Sequence, residues 1–250
     1  PVTVTIDDIK FETNEGTTIM EAAKQVGIHI PQYCYHKRLS IAGCCRICLI
    51  EIEGQPKLQI ACQTPVAEGM VVYCKSEKAE TARRAQLEFL LLHHPIDCPI
   101  CDQAGECGLQ DYYMEYGLHK SRFKLEEKIK GIKATPIGPH VIFDSERCIL
   151  CTRCVRFCNE IVEENQLAVF ERGNHSYIGL FPDQQLDNPY SVNTVDICPV
   201  GALTSLDFRF KCRVWFLDWT PSICPGCSNG CNIFIHHRDK VIFRFKPREN

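Results

Sequence analysis

The sequence predicts an α+β fold made of several small domains joined in series. Three observations predict it: the chain opens with alternating strand patterns, a helical stretch follows at 77–92, and eighteen cysteines recur mostly in tight groups. At 250 residues and 28.5 kDa the chain is long enough for two or three small domains. Short strands and helices that alternate with cysteine loops are therefore expected.

Residues 1–76 have the element order of a small β-grasp domain. The stretches "VTVTID" and "IKFET" alternate apolar and polar residues, which predicts a hairpin. Thr18 and Glu21 form a capping-box pattern at the start of a helix, and Gly27 is a plausible stop. A cysteine-bearing loop at 33–48 and the strand patterns "CLIEIE" and "KLQIAC" complete the domain.

Three further segments follow the first domain. A helix is predicted at 77–92, and Pro95 prevents it from continuing much further. This helix opens a segment, 77–138, that also contains a cysteine loop and a polar stretch of mixed charge. The linker "GIKATPIGP" leads into a second cysteine-rich domain at 139–211. Residues 212–250 contain a last cysteine motif and the strand pattern "KVIFRF".

Composition narrows the class of protein and its location. A net charge of −3 with 24% charged residues gives no basic excess, so no nucleic-acid partner is expected. The N-terminus lacks the features of a signal peptide, and the run "FLLL" is too short to span a membrane. The chain is therefore expected to be cytoplasmic, with membrane association only through partners, and its thiols are expected to bind metal rather than form disulfides.

The first cysteine group follows the pattern C-x10-C-x2-C-x13-C, and its members are Cys34, Cys45, Cys48 and Cys62. Three thiolates on one loop and a fourth from a strand suit a [2Fe–2S] cluster of the plant-ferredoxin kind, although that type has four residues in its first gap. Cys44 could replace Cys45 by register; we prefer Cys45, which keeps the C-x2-C pair, and expect Cys44 to be a buried small hydrophobe. A zinc ribbon is the alternative, but it favours two similar C-x2-C knuckles.

The second group, within "HHPIDCPICDQAGEC", holds only three cysteines and reads His94-x3-Cys98-x2-Cys101-x5-Cys107. His94 lies at the end of the predicted helix and is the expected fourth ligand, with His93 as the rival. A neutral imidazole in place of a thiolate removes one negative charge, so it can tune the potential of a cluster.

The third group combines the run Cys148-x2-Cys151-x2-Cys154 with the distant Cys198, which is followed by proline. This pattern is the bacterial-ferredoxin signature of a [4Fe–4S] cubane. Cys158 is the rival for the fourth place, but no proline follows it.

A fourth group in "TPSICPGCSNGCNIFI" contains Cys224, Cys227 and Cys231 and has no fourth cysteine before Asn250. Its fourth ligand lies beyond Asn250 in a longer protein, or the site is a remnant. The other possibility is a zinc site completed by His236 or His237.

No nucleotide-binding glycine motif and no catalytic triad pattern is found, so no catalytic residue is assigned. A chain whose chemistry lies in three clusters is best interpreted as an electron conductor. The hypothesis from another class is a zinc-stabilised scaffold without a redox role.

Together, the motifs resemble the N-terminal region of the large iron–sulfur subunit of NADH–quinone oxidoreductase, respiratory complex I. The matching stretches are "YCYHKRLSIAGCCRICLIEIEG", "LLLHHPIDCPICDQAGECGLQD", "RCILCTRCVRFCNE", "DICPVGAL" and "TPSICPGCSNGCNI". The resemblance implies a β-grasp [2Fe–2S] domain, a His/Cys3 [4Fe–4S] segment and a ferredoxin-like [4Fe–4S] domain. It implies that the first three groups hold one [2Fe–2S] and two [4Fe–4S] clusters, and that residues 212–250 begin a molybdopterin-oxidoreductase-type domain.

The resemblance also implies partners and a place in a complex. Electrons would arrive from NADH through a flavoprotein subunit that carries FMN, and would leave to a downstream iron–sulfur subunit and then to quinone. The chain would lie peripherally, on the cytoplasmic side of the inner membrane. The same module resembles the diaphorase iron–sulfur subunit of NAD-reducing hydrogenases and the front end of NAD-dependent formate dehydrogenases, which are the alternatives.

Overall fold

A computed structural model describes residues 1–131 and 133–248 of the chain. Its first unit is a five-stranded sheet in the order β2-β1-β5-β3-β4, in which only β1 and β5 are parallel. The strands are β1 (Val2–Ile6), β2 (Ile9–Thr13), β3 (Leu49–Ile52), β4 (Gln59–Ile60) and β5 (Met70–Tyr73). The predicted hairpin is confirmed as β1 and β2.

The helix α1 (Ile19–Gln25) packs its apolar residues into the core of this sheet, where Ile19 and Met20 are almost fully buried. Thr18 caps it as predicted, because its hydroxyl oxygen accepts a hydrogen bond from the Glu21 amide at 3.3 Å. The carboxylate of Glu21 accepts from the Tyr35 hydroxyl and from Lys24, so it ties the cysteine loop to the helix. Gly27, at φ +76°, ends the helix as predicted.

The predicted second helix is confirmed as α2 (Glu77–Leu91), whose first turn is capped by Ser76. The sequence did not predict α3 (Gly108–Tyr116). Its apolar face is short, and an edge-to-face contact stabilises it from outside, with the rings of Tyr33 and Tyr112 5.2 Å apart. The signal that could have found it is the spacing of Leu109, Tyr112 and Tyr116 at i, i+3 and i+7.

After the first sheet and the segment of α2 and α3, residues 135–205 form a third unit, which combines two small sheets with two short helices. Strands β6, β7 and β10 form a sheet in the order β10-β7-β6, and β8 pairs with β9. The elements are β6 (Thr135–Pro136), β7 (Val141–Phe143), α4 (Arg153–Phe157), β8 (Leu167–Phe170), β9 (Tyr177–Leu180), α5 (Asn193–Ile197) and β10 (Leu203–Ser205). A single π-helical turn, Cys158–Val162, continues α4.

The chain ends in an antiparallel meander of β11 (Asp218–Ile223), β12 (Asn232–Arg238) and β13 (Val241–Pro247). The strand predicted from "KVIFRF" is confirmed as β13. Among residues 1–131 and 133–248, two ion pairs join this meander to the rest of the chain: the Arg244 guanidinium lies 2.7 Å from both carboxylate oxygens of Glu106, and Lys246 lies 2.8 Å from Asp196.

The hydrophobic core is divided into two clusters. One fills the first sheet, and the other lies mainly in the third unit but includes Tyr33, Cys34, Cys45 and Ile47 from the first. The cysteine loop of the first domain is thus buried against its neighbour. Within residues 1–131 and 133–248, no helix has both the length and the apolar character that crossing a membrane requires.

Candidate metal centres

The four cysteines of the first group are brought together by strand pairing and by a tight loop. Cys48 directly precedes β3 and Cys62 lies just after β4, and the pairing of Leu49 with Ile60 draws the two together. The Cys34 amide lies 3.5 Å from the sulfur of Cys45. All four side chains are at most 8% exposed.

Hydrogen bonds among the thiols of the first group lower the pKa of some and raise that of others, such as Cys45 and Cys62. Hydrogen bonds from Cys44 and Cys45 lower the pKa of Cys34 to about 2, and the hydrogen bond from Cys62 lowers the pKa of Cys48. Because the thiolate is the metal-binding form of cysteine, the group is chemically suited to a cluster.

Cys44 is not buried, and the prediction that it is a buried small hydrophobe is wrong. Its sulfur lies 3.8 Å from the carbonyl oxygen of Leu150 and 3.9 Å from that of Cys151, so it faces the third cysteine group. Cys45 is buried, whereas Cys44 is exposed and also hydrogen-bonds the Cys34 thiol.

We predict that Cys45→Ser removes the [2Fe–2S] signal and about two irons, whereas Cys44→Ser leaves both in place. Electron paramagnetic resonance of the dithionite-reduced chain and iron analysis would measure this. The reverse pattern would show that Cys44 is the ligand.

In the second group, His94, Cys98 and Cys107 line one cavity of about 180 Å³, and Cys101 is buried beside them. The Nδ1 atom of His94 is buried and has no hydrogen-bond partner among the described residues. Burial, with a smaller effect from the charge of Arg147, lowers the pKa of His94 to about 4, so its imidazole is neutral. A neutral, half-buried imidazole whose Nδ1 atom is buried without a partner, beside three thiols, fits a metal ligand.

His93 has a different environment from His94. It is exposed, and its Nδ1 accepts a hydrogen bond from the Ile129 amide at 3.2 Å. The helix end therefore turns His94, and not its neighbour, towards the cysteines.

In the third group, all four predicted cysteines line one small cavity of about 20 Å³. Cys154 lies in α4, and Cys198 is the first residue after α5, which packs against α4. Burial raises the pKa of Cys148 to about 12 and that of Cys151 to about 11. Thiols of this kind become thiolates when a bound metal centre supplies the compensating positive charge, so the four fit a cluster.

Cys158 lies in the apolar core at the start of the π-helical turn, where burial raises its pKa to about 11. It belongs to the packing of this domain, while Cys198 faces the cavity.

The third group contacts both of the others. The loop after Cys198 packs against the second group so closely that a Cβ atom at Gly201 would collide with the sulfur of Cys101. In the same region the Gly108 amide donates to the Pro199 carbonyl at 3.0 Å. On its other side, the third group meets Cys44 of the first domain. The third group in sequence therefore lies between the first and second groups in space.

The fourth group lies in the turn between β11 and β12. The Cys224 amide donates to the Cys231 carbonyl at 2.8 Å, and Cys227 and Cys231 are exposed. The suggestion that His236 or His237 completes a zinc site is wrong. Both follow Cys231 along one strand at about 3.3 Å per residue, which places them roughly 15 Å or more away.

Among the described residues, no three histidine, cysteine, aspartate or glutamate side chains are grouped closely enough to hold a single metal ion. The ligands of a cluster lie further apart than the ligands of one ion, because they surround several iron and sulfide atoms.

Sequence reasoning missed a buried charge network between the second and third groups. Arg147 donates to both oxygens of Asp97, at 2.8 and 2.7 Å, and also to Asp144. Arg147 directly precedes Cys148, and Asp97 directly precedes Cys98. These positions beside cysteine ligands could have revealed the network from the sequence, because a residue next to a metal ligand is well placed to orient it.

Comparisons with known proteins find iron–sulfur domains along the chain. The sequence matches four domain families. Residues 1–77 match a 2Fe-2S iron-sulfur cluster binding domain, and residues 83–122 match an NADH-ubiquinone oxidoreductase-G iron-sulfur binding region. Residues 138–204 match an NADH-quinone oxidoreductase subunit 3 ferredoxin-like domain, and residues 217–250 match a molybdopterin oxidoreductase Fe4S4 domain.

An NADH-quinone oxidoreductase subunit of Rickettsia felis is 43% identical over 249 residues, which is 100% of this chain and 37% of the relative. The 75 kDa subunit of NADH-ubiquinone oxidoreductase from Reclinomonas americana is 45% identical over 249 residues, again 100% of this chain and 36% of the relative. The chain belongs to this iron–sulfur subunit family.

The family assignment confirms the predicted α+β fold and the predicted [2Fe–2S] and [4Fe–4S] cofactor types. The chain spans only about 37% of the length of the first of these relatives. A solved structure, an NAD+-reducing [NiFe]-hydrogenase in the H2-reduced state, contains a chain that is 31% identical with a TM-score of 0.75. The match covers 85% of this chain and 91% of that one.

Proposed function

We propose that this chain is an electron-transfer subunit that passes electrons along three iron–sulfur clusters. The observation that carries the proposal is the close packing of three predicted ligand sets: Gly201, near Cys198, packs against Cys101, and Arg156 binds the carbonyl oxygens of both Cys34 and Cys151. The family membership supports the same conclusion. When bound, each cluster accepts and releases single electrons.

The proposed ligand sets are those of the first three groups. A [2Fe–2S] cluster would be held by Cys34, Cys45, Cys48 and Cys62; a [4Fe–4S] cluster by His94, Cys98, Cys101 and Cys107; and another by Cys148, Cys151, Cys154 and Cys198. The fourth group is proposed as a cluster site only where a fourth ligand is supplied.

The residues around these sets exclude water and balance charge. Burial shields most of the ligand thiols from solvent, and the neutral imidazole of His94 gives its set one negative charge fewer than an all-cysteine set. Arg147 neutralises Asp97 beside that set. The second cluster would therefore be the one whose charge differs from that of an ordinary cubane.

We propose that the chain works as one subunit of a larger complex. An NADH- and FMN-binding flavoprotein subunit would supply electrons, and a downstream iron–sulfur subunit would pass them towards quinone. The chain would lie peripherally on the cytoplasmic side of the inner membrane. Its functional segments would be 1–76, 77–138, 139–211 and 212–250.

A second candidate function is supported by the solved hydrogenase. A chain of that structure is 31% identical to this one with a TM-score of 0.75, and the match covers 91% of it. In this alternative the same three clusters would serve a diaphorase module. A front-end subunit of a formate dehydrogenase belongs to the same class.

Iron, acid-labile sulfide and zinc, counted per chain on anaerobically purified protein, would test the proposal. We expect about ten irons with matching sulfide, and about fourteen if the fourth group also binds a cubane. Zinc without sulfide would contradict electron transfer and support the scaffold hypothesis.

A further inference from the structure

The first gap of the first group is longer than in plant-type ferredoxins, with ten residues in place of four. The additional length forms a loop that reaches the third unit. At its tip, the Ser40 amide donates to the Glu160 carboxylate at 2.8 Å, and the Ser40 hydroxyl donates to the other carboxylate oxygen. The long gap is therefore part of the joint between two cluster domains.

Arg156 crosses this joint and touches both ligand sets. Its Nη2 donates to the carbonyl oxygen of Cys34 at 2.6 Å and to that of Cys151 at 3.2 Å. Its Nη1 donates to the Ser40 carbonyl, and its Nε lies 3.2 Å from the Thr152 hydroxyl. One planar guanidinium thus binds the backbone of a ligand from each of two groups.

Arg153, one helical turn earlier, makes a parallel bridge. It donates to the Ile197 carbonyl at 3.1 Å and to the Tyr35 carbonyl. Tyr35 follows Cys34, and Ile197 precedes Cys198. Two arginines of α4 therefore join the first group to the third through main-chain oxygens of the ligands or of their neighbours.

We propose that Arg153 and Arg156 are positioning residues that set the relative position of the first and third clusters and raise the potentials of both. The inference rests on the proposed function. In the step concerned, one electron leaves the reduced [2Fe–2S] cluster and reaches the oxidised [4Fe–4S] cluster, and no bond or proton changes.

The side-chain chemistry explains why arginine is used. A guanidinium offers five fixed donors and can satisfy several carbonyl groups at once, whereas an ammonium acts as a compact point charge. Its positive charge lies between two sites that become more negative on reduction, so it favours the reduced forms of both clusters. Rigidity and charge can therefore be tested separately.

The test compares Arg156→Gln, Arg156→Lys and Arg172→Gln in the purified chain. Arg172 is exposed in the same domain, so its substitution removes the same charge without touching the joint. Hydrogen exchange of the 34–45 peptides measures docking, and redox titration of the two cluster signals measures the charge effect. Dithionite is the reductant.

We expect exchange in the 34–45 loop to become at least about tenfold faster in both Arg156 variants, because hydrogen bonds from a charged donor are lost. The potentials of both clusters should fall in Arg156→Gln and stay near those of the original chain in Arg156→Lys. Arg172→Gln should change neither. Unchanged exchange and unchanged potentials in Arg156→Gln would overturn the inference.

If Arg156→Gln prevents the chain from folding, the same exchange measurement on Glu160→Gln tests the inference. This variant weakens the contact with Ser40 without touching a ligand carbonyl. Faster exchange confined to 34–45 would support the proposed joint between the two domains, and unchanged exchange would overturn it. Failure of the proposed function can be told apart from failure of this inference, because the original chain would then contain no iron and no sulfide.

Discussion

His94→Ala is expected to remove or convert the cluster of the second group and to leave the signals of the other two in place. Complete loss would lower the iron content from about ten atoms to about six. The reason is geometric: His94 shares a cavity with Cys98 and Cys107, and its buried Nδ1 has no other partner among the described residues. Iron analysis and electron paramagnetic resonance of the reduced chain measure the result.

His93→Ala is the matched control for this prediction. His93 is exposed and its ring binds the Ile129 amide, so its loss should leave all three signals. His94→Cys should retain a cubane with a lower potential, because a thiolate adds one negative charge. Full iron content and an unchanged second-cluster signal in His94→Ala would show that His94 is not a ligand.

Cys198→Ala is expected to remove the cubane of the third group and about four irons, whereas Cys158→Ala should keep it. Cys198 lines the same cavity as Cys148, Cys151 and Cys154, and Cys158 is packed in the apolar core. The two variants make the same chemical change, so they separate ligation from packing. Iron content and the spectrum of the third cluster measure the difference.

The stability of the two variants provides the control. Cys158→Ala leaves a small cavity in a packed core, so we expect a modest loss of stability, on the order of 1 kcal/mol, with the iron retained. If Cys158→Ala loses the cluster and Cys198→Ala keeps it, the proposed ligand set is wrong.

The joint between the first and third groups gives a physical role to a feature that a motif search treats only as a departure. The ten-residue gap carries Ser40 to the third unit, where Arg156 and Glu160 bind it. Family membership alone would not have singled out these side chains. Their role follows from contacts between residues more than a hundred positions apart.

Much of the fold was readable from local patterns. Alternation predicted β1 and β2, the Thr18 cap and Gly27 marked the ends of α1, and α2 was predicted within a residue of its observed end. The helix α3 was missed because its stability comes from contacts with Tyr33 and with the loop of the third unit, which no local pattern records.

The sequence by itself determined the chemistry of the sites: C-x2-C spacing places thiols on one loop, and the missing thiolate in the second group points to a histidine. Only the tertiary structure decided which side chains face the ligand sets. It buried Cys45 and left Cys44 exposed, turned His94 and not His93 to the cysteines, and brought Cys198 to the third group. The physical reason is that spacing constrains neighbours within one turn, whereas burial and contact between distant segments depend on the packing of the whole chain.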